Sequence, residues 1–250
     1  MVQAKSVTPF FSIITCTKNS EKFIDTCLKS VKAQTFRDFE HIIIDGHSTD
    51  ATLEIASRTN AIIISAEPRG IAHAMNLGIA RACGQYLYFL NSDDSFYNFD
   101  VLSQVHDYLL EHSDLHWAYG KIHETDGVHT IGFPPKRKVF QGKHPTILKF
   151  YNYIPHQATF IKKTVFAKYG KFDESLRTML DPEYWLRIAP HTAWDYLPIV
   201  VANYLVRSDA QSVDESNKLA NSKELKVIRA KYLSYLERLI ANVITWISKL

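Results

Sequence analysis

Within its first ninety residues the chain alternates four times between a short apolar run and an apolar pattern at helical spacing. Residues 10–16 (FFSIITC), 39–45 (FEHIIID), 61–65 (AIIIS) and 86–90 (YLYFL) predict strands. Between them Phe23, Ile24, Cys27, Leu28 and Val31 recur on one helical face, followed by Leu53, Ile55 and Ala56, and then by Ile71, Ala74, Met75, Leu77 and Ile79. Repeated strand–helix–strand units favour a parallel sheet with right-handed crossovers. Ligands of such sheets bind beyond the carboxyl ends of the strands. Those ends carry TKNS, DGHSTD, EPRG and NSDD, so four polar clusters are expected to meet on one rim.

The rest of the chain is less regular. Residues 100–112 predict a helix, 117–122 and 154–162 strands, 164–169 a short helix, 181–188 a helix, and 194–207 further strands. Residues 126–150, rich in Gly, Pro and Lys around GFPPKRK, predict a mobile loop. Residues 216–248 predict a long amphipathic helix or helix pair. The chain divides on this reading into a domain at 1–210, with halves 1–98 and 99–210, and a C-terminal helical extension at 211–250.

Composition excludes several classes. Of 250 residues 46% are apolar and 22% charged, which fits a globular protein. A net charge of +3 is too small to imply nucleic acid and suits an anionic substrate or an anionic membrane. Cys16, Cys27 and Cys83 match no zinc spacing and are expected to be buried free thiols. No secretory signal is recognisable and no run reaches about 18 apolar residues, so the expected location is the cytoplasm.

The polar clusters carry the candidate chemistry. Asp93 and Asp94 stand side by side at the end of an apolar strand. Neighbouring carboxylates repel each other and resist desolvation, and a divalent cation relieves both. Oxygen ligands suit Mg²⁺ or Mn²⁺ and leave coordination positions for a diphosphate. A helix-capping turn is the alternative for the same residues. Asp45, closing HIIID, can accept the imide N–H of a pyrimidine or a ribose hydroxyl, while Asp50 is better placed to cap the next helix. Arg69 can neutralise phosphate and Gly70 permits close backbone approach, unless the pair forms a solvated turn. Asn76 faces the same cleft or the helix surface. Asp181 in RTMLDPEYWLRI precedes Pro182, which marks a helix start and makes Asp181 an N-cap candidate held ionised there. It is also the base candidate, because an acceptor hydroxyl is a poor nucleophile until its proton is taken. Glu183 is the rival carboxylate. His156, ahead of Gln157, is a contact for the leaving phosphate or the acceptor, or a structural hydrogen-bond partner.

The segments FSIITCTKNS, FEHIIIDGHSTDAT, SAEPRGIAHAMNLGIARACGQYLYFLNSDDSF and PHQATFIKKTVFAKYGKFDESLRTMLDPEYWLRI, in that order across residues 10–190, resemble the family 2 glycosyltransferases of bacterial polysaccharide type. The resemblance implies the α/β GT-A fold, a mostly parallel Rossmann-like sheet flanked by helices. It implies that Thr15, Asp45, Glu67 and Asn76 line a nucleotide pocket. It makes Ser92-Asp93-Asp94 the metal-binding motif, with Asp94 the direct ligand and Asp93 near the ribose or the metal. Asp181 matches the catalytic aspartate and His156 a histidine found before that region. The chain departs from the pattern at Asn91, where many relatives have aspartate, and at Pro182. The processive Gln-x-x-Arg-Trp pattern is missing, which favours transfer of one sugar.

The expected activity is inverting transfer from a nucleotide-sugar, UDP-linked by resemblance, to a saccharide or lipid-linked acceptor in surface polysaccharide or lipid-linked oligosaccharide synthesis. Mn²⁺ or Mg²⁺ is expected to bridge Asp94 and the diphosphate while Asp181 removes the acceptor proton. The loop at 126–145 is expected to close over the donor. The C-terminal helix is apolar through Leu225, Ile228, Tyr232, Leu236, Leu239, Ile240 and Val243. Lys223, Lys226, Arg229, Lys231 and Arg238 make it basic. It fits a peripheral inner-membrane contact, a second subunit or its own domain. A non-catalytic nucleotide-sugar binder is the alternative from another class, and Asp181 argues against it. A sugar-phosphate nucleotidyltransferase would carry a glycine-rich loop after the first strand, and TCTKNSEKF has no glycine. Gly-x-Gly-x-x-Gly is absent, which argues against a dehydrogenase.

Overall fold

The computed structural model describes residues 8–136, 140–207 and 215–247. The first half is the predicted alternation: β1 (Phe11–Thr17), α1 (Ile24–Lys32), β2 (Phe39–Asp45), α2 (Thr52–Ser57), β3 (Ile62–Ser65), α3 (Ile71–Arg81) and β4 (Tyr86–Phe89). These strands pair in parallel in the order β3-β2-β1-β4, with Thr17 opposite Asp45 and Asp45 opposite Ser65. Their carboxyl ends therefore share one rim.

Beyond β4 come β5 (Ser95–Phe96), α4 (Val101–Glu111), β6 (Trp117–Thr125), β7 (Thr130–Gly132) and α5 (Pro145–Leu148). Then follow β8 (Thr159–Lys162), α6 (Lys163–Tyr169), α7 (Leu180–Ile188), β9 (Trp194–Leu205), α8 (Glu215–Tyr232) and α9 (Tyr235–Ile247). The sheet continues as β8-β6-β9-β5, with β7 on β6. It is parallel in its first half and mixed beyond, because β8 runs antiparallel to both β4 and β6. An antiparallel strand brings its start, not its end, to the rim, so His156 and Gln157, just ahead of β8, arrive there. β6 and the parallel β9 then both end at the rim, which delivers Tyr204, Leu205 and Arg207.

The alternation of side chains along each strand divides the core between the two faces of the sheet. Leu87 and Phe89 of β4 pack with Ala72, Met75 and Ile79 of α3, whereas Tyr86 and Tyr88 pack with Val101, Leu102, Val105 and Leu109 of α4. Gly78 lets α3 lie directly on β1, since a Cβ there would stand 2.4 Å from Ile14 Cγ2. Trp117 of β6 stacks between Trp185 of α7 and Trp194 of β9, at centroid separations of 5.3 and 4.6 Å. All three rings are fully buried. Such pairs add about 0.5–1.5 kcal/mol each beyond their area burial, and here they fasten α7 to the sheet.

Several expectations are corrected. The strands expected at 194–207 are one strand, β9, that ends at Leu205. Ahead of β8 the chain makes a 3₁₀ turn at His156–Ala158 rather than extending. Within 126–145 a hairpin forms, with Gly127 in the left-handed region (φ 96°) and β7 on β6. Residues 137–139, which include the last two of GFPPKRK, lie outside the described residues. Cys16 and Cys27 carry thiols that burial pushes up to about 12, but Cys83 is exposed, in the turn that joins α3 to β4. Among the described residues no helix is long and apolar enough to cross a membrane.

Candidate active site

Two cavities lie side by side at the rim. One, of about 810 Å³, opens over the ends of β1, β2 and β4 and the start of α3. The other, of about 680 Å³, is lined from β6, the segment 151–157 and the first turn of α7. Gln157 and Tyr204 line both.

At the carboxyl ends of β1 and β2 two polar atoms are left unsatisfied beside the larger cavity, which Thr17 lines and the fully buried Asp45, expected there, does not. Thr17 Oγ1 and Asp45 Oδ1 are buried without a hydrogen-bond partner among the described residues, and the two residues are register neighbours. Asp45 Oδ2 accepts from the Ser48 amide at 3.0 Å, which also closes the DGHSTD turn. Thr17 lines the cavity, as do Ile44 and Gly46 on either side of Asp45. Orphaned buried polar groups are rare, and a pair of them at a strand end marks a place for a polar ligand. Thr15 does not belong to this set: it lies under α1, with Oγ1 3.0 Å from His41 Nε2 and 4.0 Å from Cys27 Sγ. The pocket threonine is Thr17, one strand period closer to the rim, which the sequence reading missed. Asn76 is corrected as well. Its amide donates to Phe172 O at 2.9 Å and Glu174 Oε1 at 2.8 Å and accepts from the Phe172 amide at 3.0 Å. It clips the 172–174 loop, which in turn brings Glu174 and Ser175 to the cavity wall. Glu67 and Arg69 line the cavity as expected and are exposed, with His47 3.6 Å from Glu67. Ser92 also lines it, sharing a 2.9 Å hydrogen bond with Ser20.

The two adjacent aspartates face opposite ways. Asp93 lines the cavity and pairs with Arg207 Nη2 at 2.9 Å. Asp94 turns inward and is 2% exposed, and its two oxygens accept from the Leu205 amide at 3.1 Å and Asn91 Nδ2 at 3.0 Å. Burial, reinforced by the neighbouring Asp93 charge, pushes its carboxyl up to about 8. Asp94, expected as the direct metal ligand, therefore does not line the cavity, whereas Asp93 does.

Asp181 lies at the floor of the smaller cavity, in the first turn of α7. Burial pushes its carboxyl up to about 6, partly offset by its own backbone N–H and by Asn152. It is not the N-cap, since α7 starts at Leu180 with Met179 at the cap. Pro182 is harmless there because the amides of a first turn have no partner within the helix. A carboxylate from a distant helix supplies the cap. Glu224 of α8 accepts from the amides of Arg177 at 2.8 Å, Thr178 at 3.1 Å and Met179 at 2.9 Å. Burial alone would raise the Glu224 carboxyl, but these donors outweigh it and hold it below the usual range. Glu183, the rival base, is corrected to a structural role. It is 1% exposed and bound by Arg187, by Tyr232 and by Lys231 at 3.0 Å, which joins α7 to α8. His156 lines the smaller cavity rather than the larger. Burial between Phe89 and Phe172 lowers its imidazole to about 4, so it is neutral at physiological pH. Among the described residues, the 126–145 loop contributes Pro134, Pro135, Lys136 and Phe140 to this cavity and none to the larger one, so it borders the Asp181 side.

Comparison with known proteins places the chain in a family. Residues 12–167 match the model of glycosyl transferase family 2. A PGL/p-HBAD biosynthesis glycosyltransferase of Mycobacterium bovis is 32% identical over 206 residues, covering 78% of this chain and 77% of that protein. Staphylococcus aureus TarS 1–349, solved with UDP-GlcNAc, superposes with a TM-score of 0.67 at 20% identity, over 89% of this chain and 71% of that one. The mannosyltransferase PcManGT of Pyrobaculum calidifontis, solved with GDP-Man and Mn²⁺, gives 0.68 at 18% identity, over 90% of this chain and 64% of that one. At such identities the two structures carry the fold, GT-A, and not the substrate.

Proposed function

The chain belongs to glycosyl transferase family 2, and on that premise we propose that it moves one sugar from a nucleotide-sugar to a hydroxyl acceptor, inverting the anomeric carbon in a single displacement. The observation that carries this reading is the pairing of two adjoining cavities, one lined by Asp93 and Thr17 with the orphaned Asp45 oxygen buried beside Thr17, the other lined by Asp181. The larger cavity is the donor site. Thr17 and Asp45 offer a hydroxyl and a carboxylate oxygen to the nucleoside, and Arg69 and Arg207 offer charge to the diphosphate. UDP is the first candidate nucleotide, because a uracil imide N–H complements the free Asp45 oxygen; GDP-Man, bound in PcManGT, makes a guanine donor the comparison to run beside it.

The residues on the cavity fit a sparingly held divalent cation. Asp93 supplies one carboxylate and Asn91 lines the wall beside it. Among the described residues no group of three or more His, Cys, Asp or Glu side chains converges for a metal. One carboxylate completed by phosphate oxygens and water is how Mg²⁺ and Mn²⁺ are commonly bound. A cation held by Asp93 supplies charge stabilisation to the departing diphosphate.

Asp181 acts on the acceptor. It receives the hydroxyl proton as the oxygen closes on the anomeric carbon and the bond to the diphosphate breaks on the opposite face, which is why the configuration inverts. A carboxyl poised at about 6 is ionised at neutral pH and basic enough to take that proton. Tyr204 and Gln157, on both cavities, line the passage between the reacting groups.

The acceptor is a glycolipid or polysaccharide intermediate. The PGL/p-HBAD relative supports this class, and so does the C-terminal helix pair. Lys149 of the α5 edge pairs with Glu237 of α9 at 2.7 Å, and α9 leaves Leu236, Leu239, Ile240 and Val243 exposed. A membrane-borne acceptor would meet that face. Proton NMR of the glycosidic linkage formed with the acceptor, compared with the anomeric configuration of the donor, tests the mechanism. Inversion is expected, and retention would overturn the single displacement.

A further inference from the structure

Arg207 lies two residues past β9, where that strand reaches the rim. Its guanidinium donates to Asp93 Oδ2 at 2.9 Å and sits 4.0 Å from the centroid of the Phe23 ring. All three residues line the donor cavity. Lys18, Arg69 and Arg177 also line it, but they are exposed, whereas the Arg207 side chain retains 22% of its accessible surface and Asp93 26%. Of these four cations Arg207 is therefore the least screened by solvent.

This placement creates a conflict of charges. A diphosphate entering beside Asp93 brings negative charge to a carboxylate, and a divalent cation entering beside Asp93 finds it already bound to a guanidinium. A guanidinium fork binds carboxylate and phosphate with similar geometry, so one residue can serve both in turn. We propose, resting on the donor reading above, that Arg207 is a diphosphate-binding residue that contends with a divalent cation for Asp93. Without donor it neutralises Asp93. With donor it moves to the phosphate oxygens and leaves the carboxylate to the cation. Metal and nucleotide binding are then coupled through one side chain.

The test is a set of calorimetric titrations on the full chain: Mn²⁺ alone, then UDP and GDP with and without Mn²⁺. Wild type is compared with Arg207→Gln, Arg207→Lys and Asp93→Asn. Arg207→Gln is expected to bind free Mn²⁺ about tenfold more tightly and nucleotide at least about tenfold more weakly, the size of one charge-assisted pair. Arg207→Lys, with the charge but not the fork, should bind Mn²⁺ like wild type and nucleotide at an intermediate strength. Asp93→Asn should lose the effect of Mn²⁺ and bind metal-free nucleotide more tightly than wild type, because Arg207 is released. A structural role for Arg207 would lower stability without splitting the signs of the two affinities. If wild type binds UDP or GDP while Arg207→Gln moves both affinities the same way, or neither, the inference is overturned and the donor reading stands. If wild type binds neither nucleotide, the donor reading fails and takes the inference with it. Should Arg207→Gln not fold, Asp93→Asn decides: metal-free nucleotide binding that is unchanged or weaker overturns the proposal.

Discussion

Replacing Asp181 with Asn keeps the shape of the side chain and removes its charge, and the structure sets the size of the effect. Burial lifts the carboxyl from an ordinary 3.8 to about 6. Folding at neutral pH therefore retains a carboxylate that water would solvate better, at a cost of about 3 kcal/mol. The folded value lies above the unfolded one, so the penalty is absent below about 3.8, grows as pH rises and is complete above about 6. Asn carries no such penalty. Urea denaturation should find Asp181→Asn more stable than wild type by about 3 kcal/mol at pH 7.5 and by about 1 kcal/mol at pH 4.5. Transfer should fall by about 10²–10⁴, the range of a lost general base, while nucleotide affinity stays unchanged. In wild type, kcat/KM should rise through about pH 6 as Asp181 ionises. A variant no more stable than wild type at pH 7.5 would refute the reasoning, because the carboxylate would then not be desolvated. Retained turnover would remove Asp181 as the base.

Three further outcomes are expected. Glu224→Ala leaves the amides of Arg177, Thr178 and Met179 uncapped and should cost about 1–3 kcal/mol in thermal or urea melts. That loss should shrink as pH falls below the carboxylate range, since the folded Glu224 value is depressed and its contribution exists only while it is ionised. Thr17→Val deletes a buried hydroxyl that has no internal partner, so stability should hold or rise while nucleotide affinity, measured by calorimetry, falls by about tenfold; a clear loss of stability would show that the hydroxyl serves the fold. Sedimentation with phosphatidylglycerol vesicles should retain the wild type and release a Leu236→Asp, Ile240→Asp double variant, and equal sedimentation of both would exclude α9 as the contact.

The alternation of β1 to β4 with α1 to α3 was legible because side-chain period depends only on local backbone geometry, and a period change shows directly in residue order. From that alternation the shared rim follows, as does the presence of carboxylates on it. Glu67, Arg69 and Ser92 belong to those strand-end clusters and line a cavity, as does Asp181, which was singled out instead by the helix start at Pro182 and the need for a base.

The order of residues alone determined strands β1 to β4, the parallel half of the sheet they form and the loops where chemistry gathers, since each of these is set within a few residues. Tertiary structure alone decided which member of each neighbouring set faces the ligand. Asp93 and Asp94 differ only in the direction a turn gives them, and Thr15 and Thr17 only in how far along β1 the cover of α1 extends. Glu224 meets the amides of residues 177–179, and Glu183 meets Lys231 and Tyr232, across 45–49 residues of chain, in contacts that have no local signature, unlike the i,i+4 pair of Glu183 with Arg187. Direction and distant partnership depend on how packed elements are arranged, and no short stretch of residues contains that information.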